Sequence, residues 1–188
     1  MRINGNAIRP GNVIEHKDRL WQAVKIQHTQ PGKGGAYLQV ELKDLRDGTK
    51  LNERFRAAEN VEKVRLDENE YQFLYADGDL LNFMETETYE QITLDRKLVG
   101  DQAVFLQDGV LATVRSYEGE PLTVQLAETV VLEVTETEAV IKGQTAAGSF
   151  KPAILENGVR TMVPPHIEIG TRIVVATADG VYRERARD

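Results

Sequence analysis

The chain has no cysteine, which excludes disulfides and every metal site built on thiolates, and fits a reducing compartment. It has no long apolar run. Nothing approaches the length needed to span a bilayer, and the N-terminal "MRINGNAIRPG" lacks the apolar centre of a signal peptide. A soluble, cytoplasmic protein without a membrane partner is therefore expected. Histidine is scarce, and His16, His28 and His166 show no metal-ligand spacing. No nucleophile, base and acid group together, so neither an enzyme nor a resident cofactor or metal is expected.

What the 188 residues do contain is ordinary apolar content spread along the whole length, enough for one medium domain or two to three small ones. The formal net charge of −7 at first argues against a nucleic-acid partner. The charge is unevenly distributed, however, and one end is basic. Residues 1–63 carry 12 Lys+Arg against 8 Asp+Glu, residues 64–129 carry 4 against 14, and residues 130–188 carry 7 against 8. A chain so polarised is drawn by its basic end toward phosphate, while its acidic middle is held away.

The hydrophobic pattern has the period of strands. In "YLQVEL", Leu38, Val40 and Leu42 alternate with Tyr37, Gln39 and Glu41, and Val24 and Ile26 flank Lys25 as a second apolar face. Further strands are expected in "TKLNERFR", "VLATVRSYEG", "LTVQLAETVVLEVTE", "VRTMVP" and "TRIVVATADGVYRER", with turns at Asp47–Gly48, Asp77–Gly78 and Asp179–Gly180. Only Asp95–Leu106 has a partly helical pattern. Many short strands at close spacing predict an all-β chain of small barrels. The charge breaks place domains at 1–63, 64–129 and 130–188.

Between two of these strands lies "QPGKGGAY", which puts Lys33 among glycines after Pro31. A phosphate-cradling loop would need Ser or Thr after the lysine and a helix beyond it, whereas here Gly34 leads into a strand. A catalytic amine would need burial or a neighbouring cation, and a glycine-flanked tip offers neither. Two readings stay open. The stretch is either a plain hairpin tip, or a lysine presented at the end of a projecting arm. Strands of about six residues at ~3.3 Å each would make that arm roughly 20 Å long.

The stretch "PGKGGAY" resembles the modified-lysine loop of the bacterial elongation factor P family, which reads Pro-Gly-Lys-Gly before a small and an aromatic residue. A second resemblance lies far along the chain. In "KPAILENGVRTMVPPHIEIG", Lys151, Ala153, Gly158, Val163, Pro164, Ile167 and Gly170 fall where that family's C-terminal pattern has them. Thr161 stands where an aliphatic residue is usual. "VIKGQTAAGS" is similar to the loop before that pattern, with Gln144 in place of a common acid.

This resemblance implies an SH3-like, KOW-type barrel followed by two OB-type barrels, in an L-shaped arrangement of transfer-RNA size. It implies a monomeric, non-enzymatic translation factor that binds the ribosome beside the peptidyl-tRNA and promotes bond formation at consecutive prolines. Lys33 would then be the modification site, extended by a lysine-modifying enzyme with a group such as β-lysine. Pro31, Gly32, Lys33, Gly34 and Gly35 would form the loop nearest the CCA end. Gly143, Gln144, Thr145 and Ala146 would face the small subunit and exit-site codon, or else merely connect two strands. Tyr182 and Arg185 fall where the family places RNA contacts, although a frayed basic tail fits them equally. Phe73, Tyr75 and Phe83 are expected in barrel core or interdomain packing rather than as base-stacking platforms. The alternatives are a paralogous elongation-factor-like protein and a generic β-barrel RNA-binding module without a role at proline runs.

Overall fold

Within residues 1–139 and 149–187, which the computed structural model describes, strands account for nearly all regular structure. One short helix, α1 (Arg96–Val99), and the 3-10 segment Gly100–Phe105 lie in the stretch whose pattern suggested partial helix. The Asp95 carboxylate caps α1, accepting from the Lys97 amide at 2.9 Å, and so meets one of the donors that a helix start leaves over. The chain divides into two compact units, Met1–Glu68 with Arg115–Thr123, and Asn69–Val114 with Val124–Asp188.

In the first unit, six strands make one antiparallel sheet. They are β1 (Arg2–Asn4), β2 (Val13–His16), β3 (Arg19–Thr29), β4 (Tyr37–Asp44), β5 (Lys50–Arg56) and β6 (Asn60–Val64), in the order β1-β6-β2-β3-β4-β5. Alternation along β4 turns Leu38, Val40 and Leu42 inward, where they pack with Ile8, Ile14, Trp21, Ala23, Phe55 and Val61. The buried Trp21 indole donates to the His16 carbonyl at 2.8 Å, so its N–H is not left unpaired. Val13, Leu20 and Leu122 form a second, smaller cluster.

Two expectations change here. Val24 does not share a buried face with Ile26: it is 42% exposed, whereas Ala23 is buried. The register shifts between Ala23 and Lys25, and the extra residue of this bulge passes the inward position to Ala23. The strands of the projecting arm are also longer than the roughly six residues expected, and a third strand backs them. β3 and β4 have 11 and 8 residues, and β5 pairs with β4 up to Tyr37↔Arg56. Isolated two-stranded hairpins are marginal in water. The third strand therefore supports the arm to its last row, and only residues 30–36 extend beyond it.

The turn joining β2 to β3 is fastened to β5. His16 Nε2 donates to Glu53 Oε2 at 2.7 Å, and Lys17 Nζ lies 3.3 Å from Glu53 Oε1. The hydrogen bond with His16 chiefly lowers the Glu53 carboxyl below its ordinary 4.5; partial burial opposes it, and Lys17 assists.

Two further sheets follow. β7 (Asp67–Asp77), β8 (Leu80–Glu85), β9 (Gln91–Asp95), β10 (Leu111–Tyr117) and β11 (Glu120–Leu126) run in the order β11-β10-β7-β8-β9. β12 (Thr129–Thr137), β13 (Lys151–Leu155), β14 (Arg160–Val163), β15 (Arg172–Ala176) and β16 (Tyr182–Arg185) run in the order β14-β13-β12-β15-β16. In the second unit one buried cluster joins Phe73, Leu81 and Phe83 to Leu132, Leu155 and Ile173. Phe73 and Phe83 meet edge to face, with centroids 5.4 Å apart, the arrangement their quadrupoles favour. Tyr75 departs from the expected core and is 58% exposed. A bulge between Phe73 and Tyr75 sets Tyr75 opposite the outward Asn82, because one inserted residue reverses the parity of all that follow. The all-β expectation holds, as do the strands read in "YLQVEL" and "TKLNERFR".

Two measurements check this packing. A Cβ on Gly5 would lie 2.3 Å from the Arg56 carbonyl oxygen. Gly5→Ala should therefore cost about 2 kcal/mol, as other overpacked sites do, read as a lower urea midpoint. For Glu53, a carboxyl depressed on folding stabilises the fold above its unfolded pKa and loses that contribution as pH falls through the folded value. Glu53→Gln should thus lower the urea midpoint at about pH 6, and by less at a second, acidic pH below the ordinary carboxyl value of 4.5. A gap of the same size at both pH values contradicts the assignment.

Candidate nucleic-acid interface

Lys33 is exposed at the middle of the seven-residue loop 30–36 that joins β3 to β4. Pro31 is half-buried and restricts the entry; Gly32, Gly34 and Gly35 are exposed. The glycines do not all have the same cause. Gly34 has φ of 105°, a conformation L side chains rarely adopt, so the backbone requires it. Gly32 and Gly35 lie outside that region, and a Cβ on either would meet nothing within 4 Å. The fold therefore leaves room for side chains at two positions beside Lys33 where the sequence has none. At the loop's far end the Ala57 amide donates to the Ala36 carbonyl at 3.1 Å.

Beneath the loop lies the outward face of β3, β4 and β5. Residues in register on it form the rows Thr29–Tyr37–Arg56, Gln27–Gln39–Arg54, Lys25–Glu41–Asn52 and Gln22–Lys43–Lys50. That face carries Lys25, Lys43, Lys50, Arg54 and Arg56 against a single carboxylate, Glu41, which Lys50 approaches at 4.0 Å. Several cations elsewhere in the unit are paired. Lys17 reaches Glu53, Arg19 lies 3.2 Å from Asp44 and 3.6 Å from Asp47, and Arg46 lies 3.1 Å from Glu120. Among the described residues, no carboxylate is within ion-pair distance of Lys25, Lys33, Lys43, Arg54 or Arg56. The Arg54 guanidinium instead stacks on the Tyr37 ring, 4.1 Å from its centroid. What this surface can do chemically is accept phosphate along a row of charges whose counter-ions the protein does not supply.

The other residues singled out from the sequence fare differently. Gly143, Gln144, Thr145 and Ala146 lie outside the described residues. Tyr182 is half-buried and packs against the second unit's core, so much of its ring is engaged there; Arg185 is exposed. Lys25, Tyr37, Lys43, Arg54 and Arg56 emerge as site residues only from the fold. A signal for them is present in the sequence: in "TKLNERFR" the alternate residues Lys50, Asn52, Arg54 and Arg56 are all polar, with three cations among them.

No helix among the described residues is long and apolar enough to cross a membrane. Comparison with known proteins finds three family models along the chain. The elongation factor P KOW-like domain matches residues 4–61, the elongation factor P OB domain 66–124, and the elongation factor P C-terminal model 130–185. The elongation factor P of Parvibaculum lavamentivorans is 63% identical over 186 residues, covering 99% of this chain and 100% of the relative. Those of Zymomonas mobilis and Brucella canis are each 59% identical over the same shares. Among solved structures, eukaryotic translation initiation factor 5A from Methanococcus jannaschii shares the fold, with a TM-score of 0.58 and 21% identity over 68% of this chain and 94% of that one. With all three domain models in order and full-length relatives at this identity, the chain belongs to the elongation factor P family and is a translation elongation factor.

Proposed function

We propose that this factor binds the ribosome beside the peptidyl-tRNA in the cytoplasm, as a monomer, and speeds bond formation where consecutive prolines slow it. Lys33 carries the effect by reaching the CCA end, and a separate enzyme lengthens that reach by acylating its amine with a group such as β-lysine. The factor does no bond chemistry itself. The observation that supports the reading best is the combination at one end of the first unit: an exposed lysine between glycines, above a sheet face most of whose cations lack protein counter-ions. Phosphates of the acceptor arm would supply the missing charge, with affinity falling as salt rises. Residues 143–146 and Arg185 are assigned to the small-subunit side on sequence similarity.

Proline is a poor reactant because its ring restricts the attacking nitrogen and the approach geometry. Holding the terminal nucleotides in a reactive orientation recovers rate without new chemistry, and alignment of this kind is worth several kcal/mol in favourable cases, roughly the scale separating a stalled from a normal step. The spare room at Gly32 and Gly35 suits this use, since a backbone without side chains can pass close to RNA.

Two outcomes are expected. Lys33→Arg keeps the charge but removes the acylation site, so in cells it should lose most of the factor's effect on a polyproline reporter; full activity would defeat the modification. Gly32→Ala should leave the folded state as stable as the parent, or about 0.5 kcal/mol more stable, while reducing rescue at proline runs. Undiminished rescue would mean that nothing passes close to that backbone.

A further inference from the structure

Lys33 sits on a loop rich in glycine, and the fold does little to hold that loop between its two ends. At the strand end where the loop enters β4, the Arg54 guanidinium stacks on the Tyr37 ring. Tyr37 is the first residue of β4 and stands in the last row, opposite Thr29 on one side and Arg56 on the other. Arg54 is one row further from the tip, facing Gln39, and shares the outward face. It is thus the diagonal neighbour of Tyr37, a separation that long side chains bridge. No carboxylate among the described residues competes for its guanidinium.

We propose that Arg54 and Tyr37 are positioning residues for Lys33. The stack pins the strand end at which the loop leaves the sheet, and so limits the directions in which the lysine is carried toward its target. This rests on the reading that Lys33 acts by orientation. Arg54 is suited to the task in a way lysine is not, because a planar guanidinium lies flat on a ring while an ammonium presents a hydrated point charge. The same guanidinium keeps donors free at its edge, so one residue can stack on Tyr37 and meet a phosphate. Those two roles make different kinetic predictions.

The test is a reconstituted translation assay on a proline-run template with the full-length factor, separating the rate at saturating factor from the concentration giving half that rate. Thermal midpoints confirm that each variant is folded; both positions face outward. Tyr37→Leu should lower the saturating rate roughly fivefold while leaving the half-saturating concentration within about twofold. Tyr37→Phe, which keeps the ring, should restore most of that rate. Arg54→Lys should resemble Tyr37→Leu, whereas Arg54→Ala should also raise the half-saturating concentration because a phosphate contact goes with it. Combining Tyr37→Leu with Arg54→Lys should slow the saturated reaction no more than either alone, since both remove the same stack. Multiplying effects, a saturating rate that ignores Tyr37→Leu, or full function in Arg54→Lys each overturn the proposal. Lys33→Ala in the same assay keeps the two ideas apart. If it retains the full rate, the reading of Lys33 fails; if it loses the rate while the stack variants do not, only the positioning role fails.

Discussion

β4 is hydrogen-bonded along its whole length on both sides, and the rest of the site depends on that double pairing. A strand held by two neighbours cannot slip by one residue without turning Leu38, Val40 and Leu42 out to water and Gln39, Glu41 and Lys43 into the core. Burying those three side chains is worth roughly 1.5–3 kcal/mol each, so the register is strongly determined. It also determines which cations of β3 and β5 face outward, and it carries Tyr37 and the start of the loop to the end of the sheet. The core thus specifies the cationic surface indirectly, through parity.

Parity also explains how an acidic chain can present a basic surface. Many of the first unit's carboxylates are engaged: Glu53 by His16 and Lys17, Asp44 and Asp47 by Arg19, Glu120 by Arg46. Such pairs contribute little to stability where exposed, but they remove the matching cations from any count of free positive charge. The outward face of β3, β4 and β5 keeps Lys25, Lys43, Arg54 and Arg56 without a carboxylate partner among the described residues. The net charge of −7 therefore says little about this surface, and long-range repulsion from the acidic middle segment is screened beyond roughly 8 Å at physiological salt. Nearby unpaired cations then dominate what a phosphate close to the sheet experiences.

Much of this is legible in the sequence, and the exceptions have identifiable causes. The glycine-flanked lysine, the alternation of "YLQVEL" and the partly helical pattern of Asp95–Leu106 are local features, visible within a short window of sequence. Val24 and Tyr75 escape such a reading because each follows or forms a bulge, and an inserted residue leaves no mark in a window that counts alternation. The short strands β1, β2, β6 and β9 are hidden because three to five residues hold too few alternations to show a period. The cationic face needs three strands in register, information that lies in long-range pairing and not in any one segment. Lys17 and Arg54 look alike in sequence, and only the fold shows that one is neutralised and the other is not.

A presented lysine meets two opposed physical demands. Clear approach to a folded RNA favours glycine on either side, yet each glycine adds backbone freedom that must be surrendered when the lysine is fixed, on the order of 1–2 kcal/mol for each residue ordered. A loop built only for access would lose most of its contact energy to becoming ordered. The loop here relieves that at its ends and not at its centre. Pro31 removes freedom on the entry side, the Ala57 amide holds the Ala36 carbonyl on the exit side, and the Arg54–Tyr37 stack stiffens the strand beyond it. Lys33 stays accessible because its immediate neighbours lack side chains, and it stays directed because Pro31, Ala36 and Tyr37 are restrained at the two ends of the loop.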